Sequence, residues 1–225
     1  MHLLALDTSS PVTSVCILTD GGLRAEMSVR AAKPQAADHL RIVDATMQQA
    51  GLTLADIDAF AVTVGPGSFT GLRVGLSFVK GFASEKPIFP ISTLAALAYG
   101  AGANGPMVPC VDAKRGEVYA AVYEDGVPRV YEGAYAPERF AELAGQALKG
   151  ASLWVGDGAR LYRSVFEAPG RTFAPPLFDV VRAAAVAALA WVEWQNGARP
   201  HDDRLIPNYL RASEAERNLG STKRV

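Results

Sequence analysis

Cysteine and histidine are scarce in this chain of 225 residues. Cys16 and Cys110 are its two cysteines, and because they show no metal-binding spacing we expect buried free thiols in a reducing compartment. The three histidines, His2, His39 and His201, are scattered and form no pair four residues apart that could hold a metal. The sequence therefore predicts no metal site, and it favours a structural or interfacial role for His39 over a catalytic one.

The chain also lacks a surplus of charge of either sign. It carries 22 Lys and Arg against 23 Asp and Glu, a formal net charge of −1. Proteins that grip nucleic acid by themselves usually have a basic face, so we expect this chain to be a poor nucleic-acid binder alone. The locally basic residues 217–225 are interpreted as a frayed, solvated end.

Long apolar runs are missing as well. The run from Ala183 to Trp194 is interrupted by Glu193 and is too short to cross a bilayer. The N-terminus begins with a predicted strand, so we expect no signal peptide. With 49% apolar and 20% charged residues, the composition is that of a globular protein. We therefore predict a cytoplasmic protein without a membrane partner, in one large domain or two small ones.

One glycine-rich stretch is present, from Val64 to Leu76. The apolar, β-branched run 57–64 before it predicts a strand, and the pattern of 69–84 after it predicts a helix. Ser68 is suited to cap that helix, because its hydroxyl can accept a hydrogen bond from a first-turn amide. The stretch thus predicts a strand, a tight turn and a helix.

Two uses of this turn compete. Free amides at a helix N-terminus can hold a phosphate, but no Lys-Ser or Lys-Thr follows the last glycine as in a Walker loop. Gly67, Gly71 and Gly75 recur every four residues, and interior glycines cost roughly 1 kcal/mol each against alanine. The stripe therefore favours close approach of another backbone, either inside the chain's own core or at a subunit interface. Ser68 is not in a G-x-S-x-G elbow, and no catalytic residue is predicted.

The order of predicted elements repeats along the chain. Asp7 precedes a turn at Asp20-Gly21, and Asp112 precedes a turn at Asp125-Gly126 at the same spacing. Val64-Gly65-Pro66-Gly67 likewise has a counterpart in Val155-Gly156-Asp157-Gly158. We predict an α/β fold made of a duplicated β-β-β-α-β-α unit with a boundary at 100–106. The predicted helices cover residues 38–50, 69–84, 92–99, 137–148 and 178–195.

This plan is similar to that of the actin, sugar-kinase and Hsp70 superfamily, whose first hairpins clamp nucleotide phosphates. The turn Asp7-Thr8-Ser9-Ser10 is partly suitable for this, whereas Asp112-Ala113-Lys114-Arg115-Gly116 places two long side chains where a glycine turn is wanted. Lys114 and Arg115 could bind an anion or fill the cleft. We do not expect ATP hydrolysis by this chain alone.

Five motifs, in order along nearly the whole chain, resemble the TsaB (YeaZ) family of bacteria. They are Leu4-Ala5-Leu6-Asp7-Thr8-Ser9, the glycine stretch 64–75, Ile91-Ser92-Thr93-Leu94, Asp112-Ala113-Lys114-Arg115-Gly116-Glu117-Val118-Tyr119 and Pro207-Asn208-Tyr209-Leu210-Arg211.

The resemblance implies a non-catalytic subunit of the machinery that places a threonylcarbamoyl group on adenosine 37 of tRNA. Catalysis would belong to a paralogue, TsaD, with an ATPase, TsaE. ATP and threonylcarbamoyl-AMP would be used by the complex, and no cofactor would be bound by this chain alone. TsaD carries metal-binding histidines where this chain reads Ile91 to Leu97 without any. Two enzymatic alternatives remain open: an ATP-using phosphotransferase of the same fold, and a metal-dependent peptidase, since older descriptions call the family a glycoprotease.

The resemblance also implies a partner surface on the first half. We expect TsaD, or a second copy of the chain when it is alone, to bind there, with tRNA reached only through the complex. Gly71 and Gly75 would let helices of two subunits approach. The first lobe would comprise residues 1–100 with 205–225, and the second lobe 101–204. The predicted interface residues are His39, Leu40, Val43, Met47, Phe69, Gly71, Leu72, Arg73, Gly75, Leu76 and Val79.

Overall fold

Two five-stranded mixed sheets with helices against them make up the protein, as described by a computed structural model for residues 1–30, 36–102, 104–200 and 205–210. The first sheet has the strand order β3-β2-β1-β4-β5. Its elements are β1 (His2–Asp7), β2 (Val12–Thr19), β3 (Gly22–Arg30), α1 (Ala36–Ala50), β4 (Ala59–Gly65), α2 (Phe69–Ala83), β5 (Ile88–Ser92) and α3 (Thr93–Gly100).

The second sheet repeats this plan in the order β10-β9-β6-β7-β8. Its elements are β6 (Met107–Lys114), β7 (Glu117–Glu124), β8 (Val127–Tyr135), α4 (Pro137–Ala147), β9 (Ser152–Val155), α5 (Asp157–Leu161), α6 (Arg163–Phe166) and β10 (Arg171–Phe173), followed by α7 (Ala183–Gln195). Short 3₁₀ turns lie at Leu54–Asp56 and Pro176–Phe178.

The duplication predicted from the spacings is confirmed. In each half the first strand pairs antiparallel with the second and parallel with the fourth, β1 with β2 and β4, and β6 with β7 and β9. Both hairpins turn on an Asp-Gly pair with positive φ, 50° and 80° at Asp20-Gly21 and 53° and 76° at Asp125-Gly126. This left-handed pair gives the turn the twist that its flanking strands need.

One predicted helix begins later than the sequence pattern suggested. The apolar run from Phe178 was predicted to be helical throughout, but Pro176–Phe178 forms a 3₁₀ turn and α7 starts at Ala183. Two amides of its first turn are capped from the first sheet: Ala183 N–H donates to Ser14 Oγ at 2.8 Å and Ala184 N–H to Glu26 Oε1 at 3.0 Å. The start of α7 is therefore set by groups far away in sequence.

The core has three layers of packing. One cluster joins the first sheet, helices α3 and α7 and part of the second sheet. A second lies between the other face of the first sheet and helices α1 and α2, and a third joins the second sheet to α4 and α6. Cys16 and Cys110 are buried and unpaired, as predicted, and burial raises the pKa of both thiols.

The predicted lobe boundary is wrong at α7. We placed residues 101–204 in the second lobe, yet α7 packs on β1, β2 and α3 and contributes buried alanines to the core of the first lobe. Because the helix is apolar on nearly all sides, it is buried by packing against more than one element. Within the described ranges, no helix combines the length and apolarity needed to span a membrane.

Candidate functional site at the glycine turn

The turn between β4 and α2 is closed by the chain's own hydrogen bonds. Ser68 caps α2 as predicted, since its hydroxyl accepts from the amide of Gly71 at 3.2 Å. The amide of Ser68 itself donates to the carbonyl of Ser9 at 2.7 Å. Of the amides near the start of α2, that of Ser68 is thus used by the loop that follows β1 and that of Gly71 by the Ser68 hydroxyl.

The glycine stripe packs against that same loop. A Cβ at Gly71 would lie 2.0 Å from the carbonyl oxygen of Thr8, and one at Gly75 would lie 2.3 Å from Thr8 Oγ1. Thr8 Oγ1 donates to the carbonyl oxygen of Gly71 at 2.8 Å. Our prediction that these glycines face a helix of another subunit is wrong, because they let α2 approach the chain's own backbone.

The other predicted interface residues divide by burial. Leu72, Leu76 and Val79 on α2 are at most 4% exposed and belong to the core, so direct contact with a partner is excluded for them in this fold. Leu40 is 41% and Phe69 42% exposed, and Arg73 is exposed beside them. The three remaining predicted interface residues lie on α1 and are all buried: His39, Val43 and Met47.

His39 joins two elements. Its Nδ1 lies 2.6 Å from Thr13 Oγ1 of β2, and its ring centroid is 6.3 Å from that of Phe78. Burial lowers the pKa of His39. These contacts fit the structural one of the two roles, structural or interfacial, that the sequence left open for His39.

Two adjoining grooves mark the outer surface of α1 and α2. One of about 430 Å³ runs along α2 and is lined by Phe69, Thr70, Arg73, Val74, Ser77 and Phe78. Another of about 520 Å³ lies between the helices, with Leu40, Val43, Met47, Leu52 and Phe82 among its lining residues. The sequence prediction missed Val74, Phe78 and Phe82. Their spacing of four residues places them on one stripe of α2, and that stripe was the available signal.

A C-terminal segment, residues 205–210, crosses the glycine turn. Asn208 N–H donates to the carbonyl of Val64 at 2.6 Å. Tyr209 stacks on Phe69 with ring centroids 5.2 Å apart, and its hydroxyl accepts from Arg73 Nε at 2.9 Å. The Arg73 guanidinium also lies 3.8 Å from the centroid of Phe69. The motif predicted at 207–211 thus lies on the first half, and Arg211 lies outside the described residues.

Asp7, the last residue of β1, is fully buried. Its Oδ1 accepts from the Thr63 hydroxyl at 2.7 Å and from the Ser9 amide at 3.2 Å. Its Oδ2 has no hydrogen-bond partner among the residues that the structure describes. Burial raises the pKa of Asp7 to about 6 against the opposing effect of those hydrogen bonds.

In the matching hairpin of the second half, Lys114 pairs with Asp112. Lys114 and Arg115 both adopt positive φ, 64° and 59°, and Lys114 Nζ lies 2.6 Å from Asp112 Oδ2. Asp157 Oδ1 in turn accepts from the Asp112 amide at 3.0 Å. In the described part of the chain, no three His, Cys, Asp or Glu side chains cluster as metal ligands would.

The duplicated halves, each with the same strand order, define an α/β protein of the actin and sugar-kinase class. A ROK hexokinase from Thermus thermophilus shares the fold at a TM-score of 0.54 and 12% identity, with 88% of this chain and all of that one covered. A structure described as YeaZ from Pseudomonas aeruginosa superposes with a TM-score of 0.79 and 28% identity, covering 92% of this chain and 99% of the other.

Sequence comparisons agree. The family model for TsaD, tRNA N6-adenosine threonylcarbamoyltransferase, matches residues 29–219. The tRNA threonylcarbamoyladenosine biosynthesis protein TsaB of Escherichia coli is 29% identical over 229 residues, which cover 97% of this chain and 98% of that protein. The chain belongs to the TsaB (YeaZ) family, which shares the TsaD family model.

Proposed function

We propose that this chain is a non-catalytic subunit of the complex that makes N6-threonylcarbamoyladenosine at position 37 of tRNA. The family assignment supports involvement in tRNA threonylcarbamoyladenosine biosynthesis. In this proposal a TsaD-like paralogue carries out catalysis and a TsaE-like ATPase takes part. ATP and threonylcarbamoyl-AMP are used by those partners, in the cytoplasm.

One observation carries the non-catalytic part of the proposal. The loop after β1 is the part that binds phosphates in relatives of this fold class. In this chain, its Ser9 carbonyl accepts from the Ser68 amide, and its Thr8 hydroxyl donates to the Gly71 carbonyl, against which Thr8 is closely packed. In this proposal, a phosphate that entered between this loop and α2 would have to displace these contacts. The chain therefore keeps the fold and uses its phosphate loop for internal packing.

The partner surface in this proposal is the outer face of α1 and α2. Its accessible members are Leu40, Phe69, Val74, Phe78 and Phe82 with Arg73 at its edge, and the buried Val43 and Met47 lie at the base of the groove between the helices. Apolar and aromatic side chains around a groove are typical of the centre of a protein interface. The same surface serves a second copy of the chain when the paralogue is absent. With a net charge of −1, the chain reaches tRNA through its partners.

Sedimentation of the purified chain, alone and mixed with the TsaD homologue from the same source, tests the proposal. We expect a homodimer that converts to a heterodimer, since one surface serves both partners. Leu40→Asp places a charge in the groove between the helices and should weaken both associations at least about tenfold. Leu177→Asp is the matched control, because Leu177 is 80% exposed on the 3₁₀ turn before α7. A wild-type chain that does not associate with the homologue would contradict the proposal.

A further inference from the structure

The segment 205–210, named here the strap, is anchored to the glycine turn at two points. Besides the hydrogen bond from Asn208 to Val64, the Asn208 carbonyl oxygen would lie 2.8 Å from a Cβ at Gly65. Gly65 also has a φ of 120°, which favours glycine. Leu205 packs against the cluster beneath α1 and α2. The turn is thus shaped to receive the strap.

Beyond Asn208, the strap contacts two residues that line the groove along α2. The Arg73 guanidinium lies over Phe69 at 3.8 Å and gives its Nε–H to the Tyr209 hydroxyl at 2.9 Å, while Tyr209 stacks on Phe69. A long exposed arginine is thereby held in one orientation by one ring face and one hydrogen bond. No strap residue is among those that line the groove of about 430 Å³. The strap therefore shapes one end of the groove without covering it.

We propose that the strap is part of the docking surface for the catalytic paralogue, and that Tyr209 is a positioning residue for Arg73. The partner chemistry that suits this edge is a carboxylate side chain beside an apolar one, since guanidinium groups pair best with carboxylates and the adjoining groove has aromatic walls. Holding Arg73 in place before binding reduces the entropy lost on association. This inference rests on the proposed function, because it takes the paralogue as the partner.

The expected loss of affinity depends on which contacts of Tyr209 each variant removes. Tyr209→Ala removes the stack and the hydrogen bond, so we expect the association constant with the paralogue to fall about tenfold. Tyr209→Phe keeps the stack and removes only the hydrogen bond, so a fall of about two- to fivefold is expected. Tyr131→Ala is the control, because Tyr131 is 77% exposed on β8 in the other half.

Calorimetric titration of the full-length chain with the TsaD homologue measures these constants, and thermal unfolding of each variant checks its fold. A double-mutant cycle separates positioning from general structure: in an Arg73→Gln background, Tyr209→Phe should cause no further loss. Higher salt should reduce the difference in association constant between wild type and Arg73→Gln, because salt screens the attraction between Arg73 and a carboxylate of the partner.

Three outcomes overturn the inference. If the wild-type chain binds the homologue and Tyr209→Ala binds it equally well, the strap is not part of the docking surface, and the proposed function stands. Tighter binding by Tyr209→Ala would show that the strap competes with the partner. Absence of any binding by the wild-type chain would remove the proposed function and this inference together.

Discussion

At the scale of single residues, the contact between Gly71 and Thr8 explains why α2 carries glycines that isolated helices disfavour. Gly71→Ala would place a Cβ 2.0 Å from a backbone carbonyl, and we expect it to lower the free energy of unfolding by about 3 kcal/mol or more. Gly81→Ala, in the same helix with nothing within 4 Å of its Cβ position, should instead stabilise by roughly 0.5–1 kcal/mol. Urea unfolding of both variants measures the contrast, and equal effects would refute the packing explanation.

Asp7 is the residue from which we expect a pH effect on stability. Its folded pKa of about 6 lies above the usual value of 3.8, so the folded chain binds the extra proton between these values. The stability from this group is therefore present at low pH and is lost as pH rises through about 6. The loss amounts to at most about 3 kcal/mol.

Asp7→Asn tests this sign. Measured by urea unfolding from about pH 4 to 7, the stability of wild type relative to the variant should fall as pH rises. Asp44→Asn is the control, since Asp44 is exposed on α1 and its side chain, within the described residues, accepts a hydrogen bond from Gln48. A difference between wild type and Asp7→Asn that does not vary with pH would rule the effect out.

At the scale of elements, α7 shows how a helix can depend on distant residues. Its first amides are capped by Ser14 of β2 and Glu26 of β3, and Arg182 just before it contacts Glu26. Ser14→Ala removes a buried acceptor of a helix N-terminus, so we expect a loss of about 1–2 kcal/mol in unfolding free energy.

Ser28→Ala provides the comparison for that prediction. Ser28 is exposed, and its Oγ lies 2.7 Å from Ser14 Oγ. The expected loss is below about 1 kcal/mol. Equal losses for the two variants, measured by chemical denaturation, would mean that the cap on α7 contributes little.

At the scale of the whole molecule, the two halves share one plan, and the loop after the first strand of each half makes hydrogen bonds within the chain. Ser9 and Thr8 are bound by α2 in the first half, and Lys114 is paired with Asp112 in the second. We therefore expect that titration of the isolated chain with ATP and Mg²⁺ shows no binding at micromolar concentrations. Saturable micromolar binding, followed by calorimetry, would instead favour the phosphotransferase alternative.

Much of the fold was predictable because it depends on local patterns. The strand lengths, the two Asp-Gly hairpin turns and the cap at Ser68 follow from alternation, turn chemistry and a hydroxyl before a helix. The start of α7 and its lobe were not predictable in this way. They depend on Ser14 and Glu26, which lie more than 150 positions earlier in the chain.

The candidate site divides in the same way. The sequence showed that the glycine stripe requires close approach of another backbone, because interior glycines are costly in a helix. It could not show which backbone, since helical spacing is the same for a core face and for an interface.

The sequence by itself determined the duplicated α/β plan, the hairpin turns and the resemblance to the TsaB family, because each depends on residue type and spacing. The tertiary structure decided that Gly71 and Gly75 face Thr8, that Val74, Phe78 and Phe82 form the outer stripe, and that Tyr209 reaches Arg73. These facts depend on which surfaces meet after long-range packing. Only the folded chain specifies that packing.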